Sequence, residues 1–348
     1  MNISNFAGNA VYAKLRCMYS KRLTQKNYTE LMNLHSVNEI AEYLKAKTSY
    51  SEIFEGISHS SEMPRSMLEN LLFKKTCDDL TKIMRYQKAA GSSLYEYFIV
   101  KYDIEQIISV MGCLAVKSDS YFFSFPVFYN ELSKLDLLSL AKVTTTDELL
   151  RVTDKSIYAK AVREAVSDYI ASGSLATAQS RLHAFIDRYF IKIIAGEKKT
   201  KLPKNCPAGD LYKFDCDAYL VKILLRLNRF DLEGKTINKP LLTLFSDAQI
   251  NSLLNAKSRE EIIEITEKTH LKGMLNLTYE DIFTQADRFI LKHFEGVFRH
   301  STDPDAVMLS YFFILDNEIK NIIHIIEGVR YSLSPFEIEK LLTVCQNA

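Results

Sequence analysis

Three pairs of carboxylates in this 348-residue chain have types suited to acid–base work or metal ligation: Asp103 with Glu105, Asp215 with Asp217, and Asp316 with Glu318. Each pair follows an apolar residue (Tyr102, Phe214, Leu315) and leads into an apolar run, such as Ile107, Ile108 and Met111 or Ile322, Ile323 and Ile326. Residues two apart do not share a helical face, so the members of a pair cannot grip one ligand together. Acids at the start of a helix are instead favoured by the positive end of its dipole. The motif recurs: Asp103 to Asp215 is 112 residues, and Asp215 to Asp316 is 101. Recurrence in three places points to a structural element, and the pairs are read as the leading turns of three helices.

Other chemistry is absent at the level of motifs. Glu233-Gly234-Lys235-Thr236 ends like a phosphate-binding loop, but that motif requires a glycine where Arg229 stands, and no strand pattern precedes it. The chain has no GxGxxG, HExxH or GxSxG pattern. Its seven histidines include no i, i+4 pair, although His293 and His300 would share a helical face. Six cysteines (Cys17, Cys77, Cys113, Cys206, Cys216, Cys345) are scattered singly with no C-x-x-C pair, so they are read as buried free thiols in a reducing compartment. No catalytic residue, metal site or cofactor is expected.

The elements that carry these residues are helices. Gly and Pro number 11 and 7, about 5% of the chain against roughly 12% in an average protein, and strand-rich folds need many such turn residues. A second recurrent element is a helix start of the form [ST]-x-x-E-[IL]: Ser36 with Glu39 and Ile40, Thr145 with Glu148 and Leu149, Ser258 with Glu261 and Ile262. In such a capping box the hydroxyl accepts from the third backbone N–H and the Glu reaches back to the N–H of the cap. The starts are 109 and 113 residues apart. Ahead of the second and third acid pairs lie strongly amphipathic stretches. Leu182, Phe185, Ile186, Tyr189, Phe190, Ile193 and Ile194 form one. Ile282, Phe283, Ala286, Phe289, Ile290, His293, Phe294 and Val297 form the other. Leu72, Cys77, Leu80, Ile83 and Met84 are a weaker version ahead of the first. The order is capped helix, connector, amphipathic helix, loop, acid-led helix. The expectation is an all-α fold of three similar helical domains, an internal threefold repeat with boundaries at 1–117, 118–232 and 233–348. Loops are expected at Ser58–Pro64, Lys117–Pro126, Gly196–Asp210 (basic, with Lys198, Lys199, Lys201 and Lys204), Glu233–Pro240 and His300–Asp305.

The formal net charge is +1, which supplies no general field for nucleic acid or anionic lipid. No signal peptide is read at the N-terminus, whose first 24 residues hold Lys14, Arg16, Lys21 and Arg22 and no continuous apolar core. No apolar run reaches the length of a membrane span; the longest, Gln106 to Val116, has 11 residues. Three function classes stay open on these grounds: an adaptor in a larger assembly, a stand-alone helical scaffold for protein partners, and an enzyme with a dispersed site.

The stretch from Ala13 to Thr24 (Ala13-Lys14-Leu15-Arg16-Cys17-Met18-Tyr19-Ser20-Lys21-Arg22-Leu23-Thr24), followed by Tyr28, Leu31, Ser36, Ile40, Tyr43, Leu44, Thr48 and Tyr50, resembles the opening of the C subunit family of archaeal and bacterial A/V-type ATPases, relatives of the d subunit of the eukaryotic vacuolar ATPase. Tyr102-Asp103-Ile104-Glu105-Gln106-Ile107 is similar to that family's Y-D-I-E-N-I. Glu318, Asn321, Ile322, Gly328, Arg330 and Leu333 are similar to its C-terminal pattern. Tyr12 and Gln106 stand where Asn is expected, and Arg330 where Lys is usual.

The resemblance implies a funnel-like protein of three helical domains around a pseudo-threefold axis, non-catalytic, in the rotor of a V/A-type ATPase. It would join the central shaft subunits to the membrane proteolipid ring, so that ATP hydrolysis or synthesis is linked to H⁺ or Na⁺ transport. It would lie peripherally at the cytoplasmic face with no transmembrane span of its own, binding no nucleic acid. Few glycines suit a stiff coupler, and a near-zero net charge suits docking through local complementary patches. On the first helix Val11, Leu15 and Met18 form one stripe and Lys14 and Lys21 another face; Lys14, Arg16 and Lys21 are the expected partner contacts.

Overall fold

The computed structural model describes residues 3–55, 63–116, 131–196, 199–229, 239–275 and 281–344. Every regular element among them is helical. In chain order these are α1 (Ile3–Tyr19), α2 (Gln25–Met32), α3 (Val37–Lys47), α4 (Arg65–Ala90), α5 (Leu94–Val116), α6 (Leu137–Leu140), α7 (Thr146–Thr153), α8 (Ala159–Ser172), α9 (Leu175–Ala195), α10 (Pro207–Arg229), α11 (Asp247–Asn255), α12 (Arg259–Glu267), α13 (Ile282–His300), α14 (Pro304–Arg330) and α15 (Pro335–Leu341), with a 3₁₀ turn at Ser49–Phe54 after α3. No helix among the described residues is long and apolar enough to cross a membrane.

The chain divides into two compact units, one made of Met1–Gly91 with Gly273–Ala348 and the other of Ser92–Lys272. In the first, α14 is the central helix, packing against α1, α2, α3, α4, α13 and α15. It is apolar around much of its circumference, as a helix wrapped by neighbours must be. Val307, Phe312, Leu315, Ile319, Ile322 and Ile326 are all buried on it. Each such side chain contributes about 1.5–3 kcal/mol through burial. The expected stripe of α13 is present in part: Ile282, Ala286, Ile290 and Phe294 are buried, and Phe294 stacks on Phe313 with ring centroids 3.8 Å apart. His293, expected in that stripe, is instead exposed, and Phe283, Phe289 and Val297 are only half-buried. Helix α1 buries Val11, Leu15 and Met18 as its spacing predicts and packs on α4 and α14.

In the second unit α9 packs against α5 and α8 and buries Leu182, Ile186 and Phe190. Phe190 stacks on Tyr212 of α10 at 4.0 Å, and Tyr97 of α5 meets Phe190 edge-on at 5.2 Å.

The three [ST]-x-x-E sequences start helices α3, α7 and α12, with one difference from the expectation. Ser36, Thr145 and Ser258 each accept from the N–H of the Glu three residues on, at 3.2 Å in all three. The carboxylate of that Glu then takes the N–H of the residue before the cap: Glu39 from His35 at 2.9 Å, Glu148 from Thr144 at 2.8 Å, Glu261 from Lys257 at 2.7 Å. The capping box in its reciprocal form occurs instead at Thr24 with Asn27, Ser246 with Gln249 and Ser334 with Glu337.

The acid pairs do not lead their helices. Asp103, Asp217 and Glu318 lie inside α5, α10 and α14. The sequence pattern misplaced the starts because α5 is already apolar from Leu94, and because Pro207 and Pro304, read as loop residues, occupy first helical turns, where a missing N–H costs nothing. The loop expected at Gly196–Asp210 accordingly ends at Cys206, and the one at His300–Asp305 shrinks to 301–303. The loop expected at Lys117–Pro126, most of those at Ser58–Pro64 and Glu233–Pro240, the Glu233–Thr236 segment, Lys198 and Cys345 lie outside the described residues.

Candidate interaction surface

Three buried carboxylates are held in closely similar ways. Glu318 of α14 accepts from the backbone N–H of Leu23 and from the Tyr50 hydroxyl, both at 2.9 Å. Asp103 of α5 accepts from the N–H of Lys134 at 2.9 Å, the Tyr158 hydroxyl at 2.7 Å and Ser133 Oγ at 2.5 Å. Asp217 of α10 accepts from the N–H of Leu244 at 2.7 Å and from the Thr243 hydroxyl, and its Oδ2 lies 3.2 Å from His270 Nε2. In each case the backbone N–H belongs to the residue just before or two before a helix cap (Thr24, Asp136, Ser246), and the second donor lies beyond the two following helices.

That second donor sits on a recurrent turn. Thr48 Oγ1, Ser156 Oγ and Thr269 Oγ1 accept from the N–H two residues on, that of Tyr50, Tyr158 and Leu271, each at 3.1 Å. Where the first two turns place a tyrosine, the third places Leu271, and the imidazole of His270 supplies the polar group instead. Burial raises the pKa of Glu318 and of Asp103, and the bonds they accept oppose it. Carboxylates so enclosed and so fully engaged hold helices together; they have no free face for a substrate.

A fourth buried carboxylate, Asp79 of α4, binds Lys75 Nζ at 2.8 Å and accepts from the Tyr311 hydroxyl of α14 at 2.6 Å. Lys75 and Asp79 stand four apart on one helix, but no spacing in the sequence announces the bond from Tyr311. The remaining residues of the C-terminal pattern also have structural partners. Asn321 accepts from the N–H of Thr343 at 2.9 Å and so ties down the chain beyond α15. Gly328 lets α15 approach: a Cβ there would stand 2.5 Å from Ile338 Cγ1.

The three expected contact residues have different surroundings. Arg16 is engaged within the fold. It donates to the Arg299 carbonyl at 2.8 Å and the Tyr12 hydroxyl at 2.7 Å, and its guanidinium lies over the rings of Tyr12 and Phe298 at 4.8 and 4.7 Å. It thereby caps the C-terminal end of α13, where a cation is favoured. Lys14 is half-buried on α1. Lys21 is exposed and lies past the end of α1 at Tyr19, so it does not continue the helical face of Lys14.

Lys21 instead lines a cleft of about 540 Å³, with Arg22, Lys45, Lys47, Thr48 and Glu52 among the other walls. Arg22 is drawn away by Glu295 at 3.1 Å and lies 3.7 Å over the Tyr19 ring. Lys47 pairs with Glu30 at 3.4 Å. The hydrogen bond from Lys82, 2.6 Å away, and more weakly the fields of Lys75 and Lys21 hold Glu52 below the usual carboxylate range. Among the described residues no group of three or more His, Cys, Asp or Glu is placed to hold a metal ion.

Residues 11–341 match the family described as ATP synthase (C/AC39) subunit. The chain is similar to the C subunit of the A-type ATP synthase of Methanocaldococcus jannaschii, at 22% identity over 95% of this chain and 85% of that protein. It is similar to the same protein of Methanosphaera stadtmanae, also at 22%, over 95% of this chain and 86% of that one.

Proposed function

The chain belongs to the ATP synthase (C/AC39) subunit family, and from that premise we propose that it is a non-catalytic rotor subunit of a V/A-type rotary ATPase. In this reading it joins the central shaft to the membrane proteolipid ring and passes torque between them, linking ATP hydrolysis or synthesis to H⁺ or Na⁺ movement. It sits peripherally at the cytoplasmic face, and the ring supplies the membrane part. The observation that carries the reading is the span of the family match, from residue 11 to 341, which takes in almost all of the helical body.

The buried carboxylates support it. A part that transmits torque must resist shear between its helices, and a buried, multiply accepting carboxylate is costly to pull apart. We read the chain as three helical units, 1–117, 118–232 and 233–348. With those limits the carboxylate of each unit anchors the short helices of the next: Asp103 holds Lys134 and Tyr158, and Asp217 holds Leu244 and His270. Glu318 of the third unit then holds Leu23 and Tyr50 of the first.

The test is a pull-down with this chain as bait from detergent-solubilised membranes of its source, read by mass spectrometry. Recovery of shaft subunits together with the proteolipid is the expected result. Recovery of neither, with the ATPase intact in the same extract, overturns the rotor reading in favour of a stand-alone scaffold.

A further inference from the structure

We propose that the cleft at the end of α1 seats an acidic segment of a protein partner, with Lys21 and Lys45 as its anchoring cations. The inference rests on the rotor reading and gives the chemistry of one docking point.

The lining is cationic. Lys21, Arg22, Lys45 and Lys47 face one carboxylate, Glu52. Two of the four are already committed, Arg22 to Glu295 and Lys47 to Glu30, and Glu52 is committed to Lys82. Lys21 and Lys45 have no ion pair or hydrogen bond among the described residues, so they carry the uncompensated charge of the cleft.

Lys47 precedes the turn hydroxyl of Thr48, and the same place is filled by Lys155 before Ser156 and Lys268 before Thr269, so this lysine belongs to the repeated frame. Lys21 does not recur. Two residues before the anchoring N–H of Leu23, Lys134 and Leu244 stand Lys21, Leu132 and Leu242. Nor does Lys45: nine residues after the caps Ser36, Thr145 and Ser258 stand Lys45, Asp154 and Glu267. The two free cations are therefore not required by the shared architecture, and both line one cleft.

The occupant is a carboxylate-bearing peptide on grounds of charge density. A phosphate cluster would bring several negative charges against Glu52, with Glu30 close by on Lys47. Two lysine ammoniums, each a compact single charge, balance two carboxylates. The cleft is broad enough for several side chains, and its hydroxyls on Thr48, Ser49 and Ser51 suit a peptide backbone. Such exposed pairs steer and orient a partner more than they hold it, so docking here is sensitive to salt.

The test uses the full chain as wild type, as Lys21→Glu/Lys45→Glu, and as the control Lys155→Glu/Lys268→Glu, all checked for unchanged thermal unfolding. Titration with a fluorescent glutamate-rich peptide decides the cleft. The expected result is binding by wild type and control, weakened at least tenfold in the Lys21/Lys45 variant and abolished by high salt. Equal binding by all three, no binding by wild type, or Lys21/Lys45-dependent binding of inorganic phosphate or phosphatidylserine vesicles in place of the peptide overturns the proposal. The same three proteins in the membrane pull-down keep the two questions apart. Failure of wild type to recover ATPase subunits speaks against the rotor reading, whereas equal recovery by the Lys21/Lys45 variant speaks only against the cleft.

Discussion

Tyr50 donates its phenolic hydrogen to Glu318 across 2.9 Å, joining residues 268 positions apart in the chain. Both are buried, so the carboxylate has no water to replace a lost donor. Tyr50→Phe should lower the stability of the first unit by about 1–3 kcal/mol, the cost of leaving a buried acceptor short of a partner. Glu318→Leu should cost more, since it strands both the Tyr50 hydroxyl and the Leu23 N–H. Thermal unfolding of the two variants against wild type checks the order; a neutral Tyr50→Phe would remove Glu318 from the group of anchoring carboxylates.

The third carboxylate offers an exchange experiment. Asp217 faces His270, and Leu271 stands where the corresponding turns have Tyr50 and Tyr158. His270→Ala should destabilise the second unit by about 1–3 kcal/mol. Adding Leu271→Tyr should recover part of the loss by presenting a hydroxyl to Asp217 as Tyr158 does to Asp103. Chemical denaturation of the single and double variants measures the recovery. A further loss in the double variant would mean that the third turn aims its side chain differently.

Gly328 sets how closely α15 lies on α14. A Cβ at this position meets the branched side chain of Ile338 at 2.5 Å, and the Gly328 carbonyl accepts from the N–H of Leu333 at 2.9 Å. Gly328→Val should lift α15, at a cost of about 1–3 kcal/mol from overpacking, and expose the segment after Arg330 to protease. Limited proteolysis with mass mapping would show earlier cleavage between residues 331 and 344. Gly328→Val combined with Ile338→Ala should restore protection.

Asp187 makes the stability of the second unit depend on pH. Burial raises its pKa to about 6, even though it accepts from the Tyr212 hydroxyl at 2.9 Å. A carboxyl with a raised folded-state pKa favours the protonated native form, so its contribution is present below the ordinary value near 4 and is lost as pH rises through about 6. Asp187→Asn, which keeps an acceptor for Tyr212, should stabilise the protein by about 1–2 kcal/mol at pH 7.5, with the gain shrinking towards zero at pH 4. Melting curves of both proteins across that range test the sign. A gain that grows on acidification would contradict the assignment.

The all-helical class, the caps at Ser36, Thr145 and Ser258, and the buried stripes of α1, α9 and α13 were determined by the sequence alone. Each depends on residues within one or two helical turns, and local spacing records such relations directly. The tertiary structure decided what the acids are for. In Asp103-x-Glu105 the first acid is the buried one, whereas in Asp215-x-Asp217 and Asp316-x-Glu318 it is the second. Only the three-dimensional position of Lys134, Leu244 and Leu23 picks the member that faces inward. It decided likewise that Arg16 caps α13 while Lys21, five residues on, lines a cleft with Lys45. A hydrogen bond between residues 268 apart leaves no period in the sequence, because its partners are brought together by the packing of α14 against its neighbours, not by the repeat of any one helix.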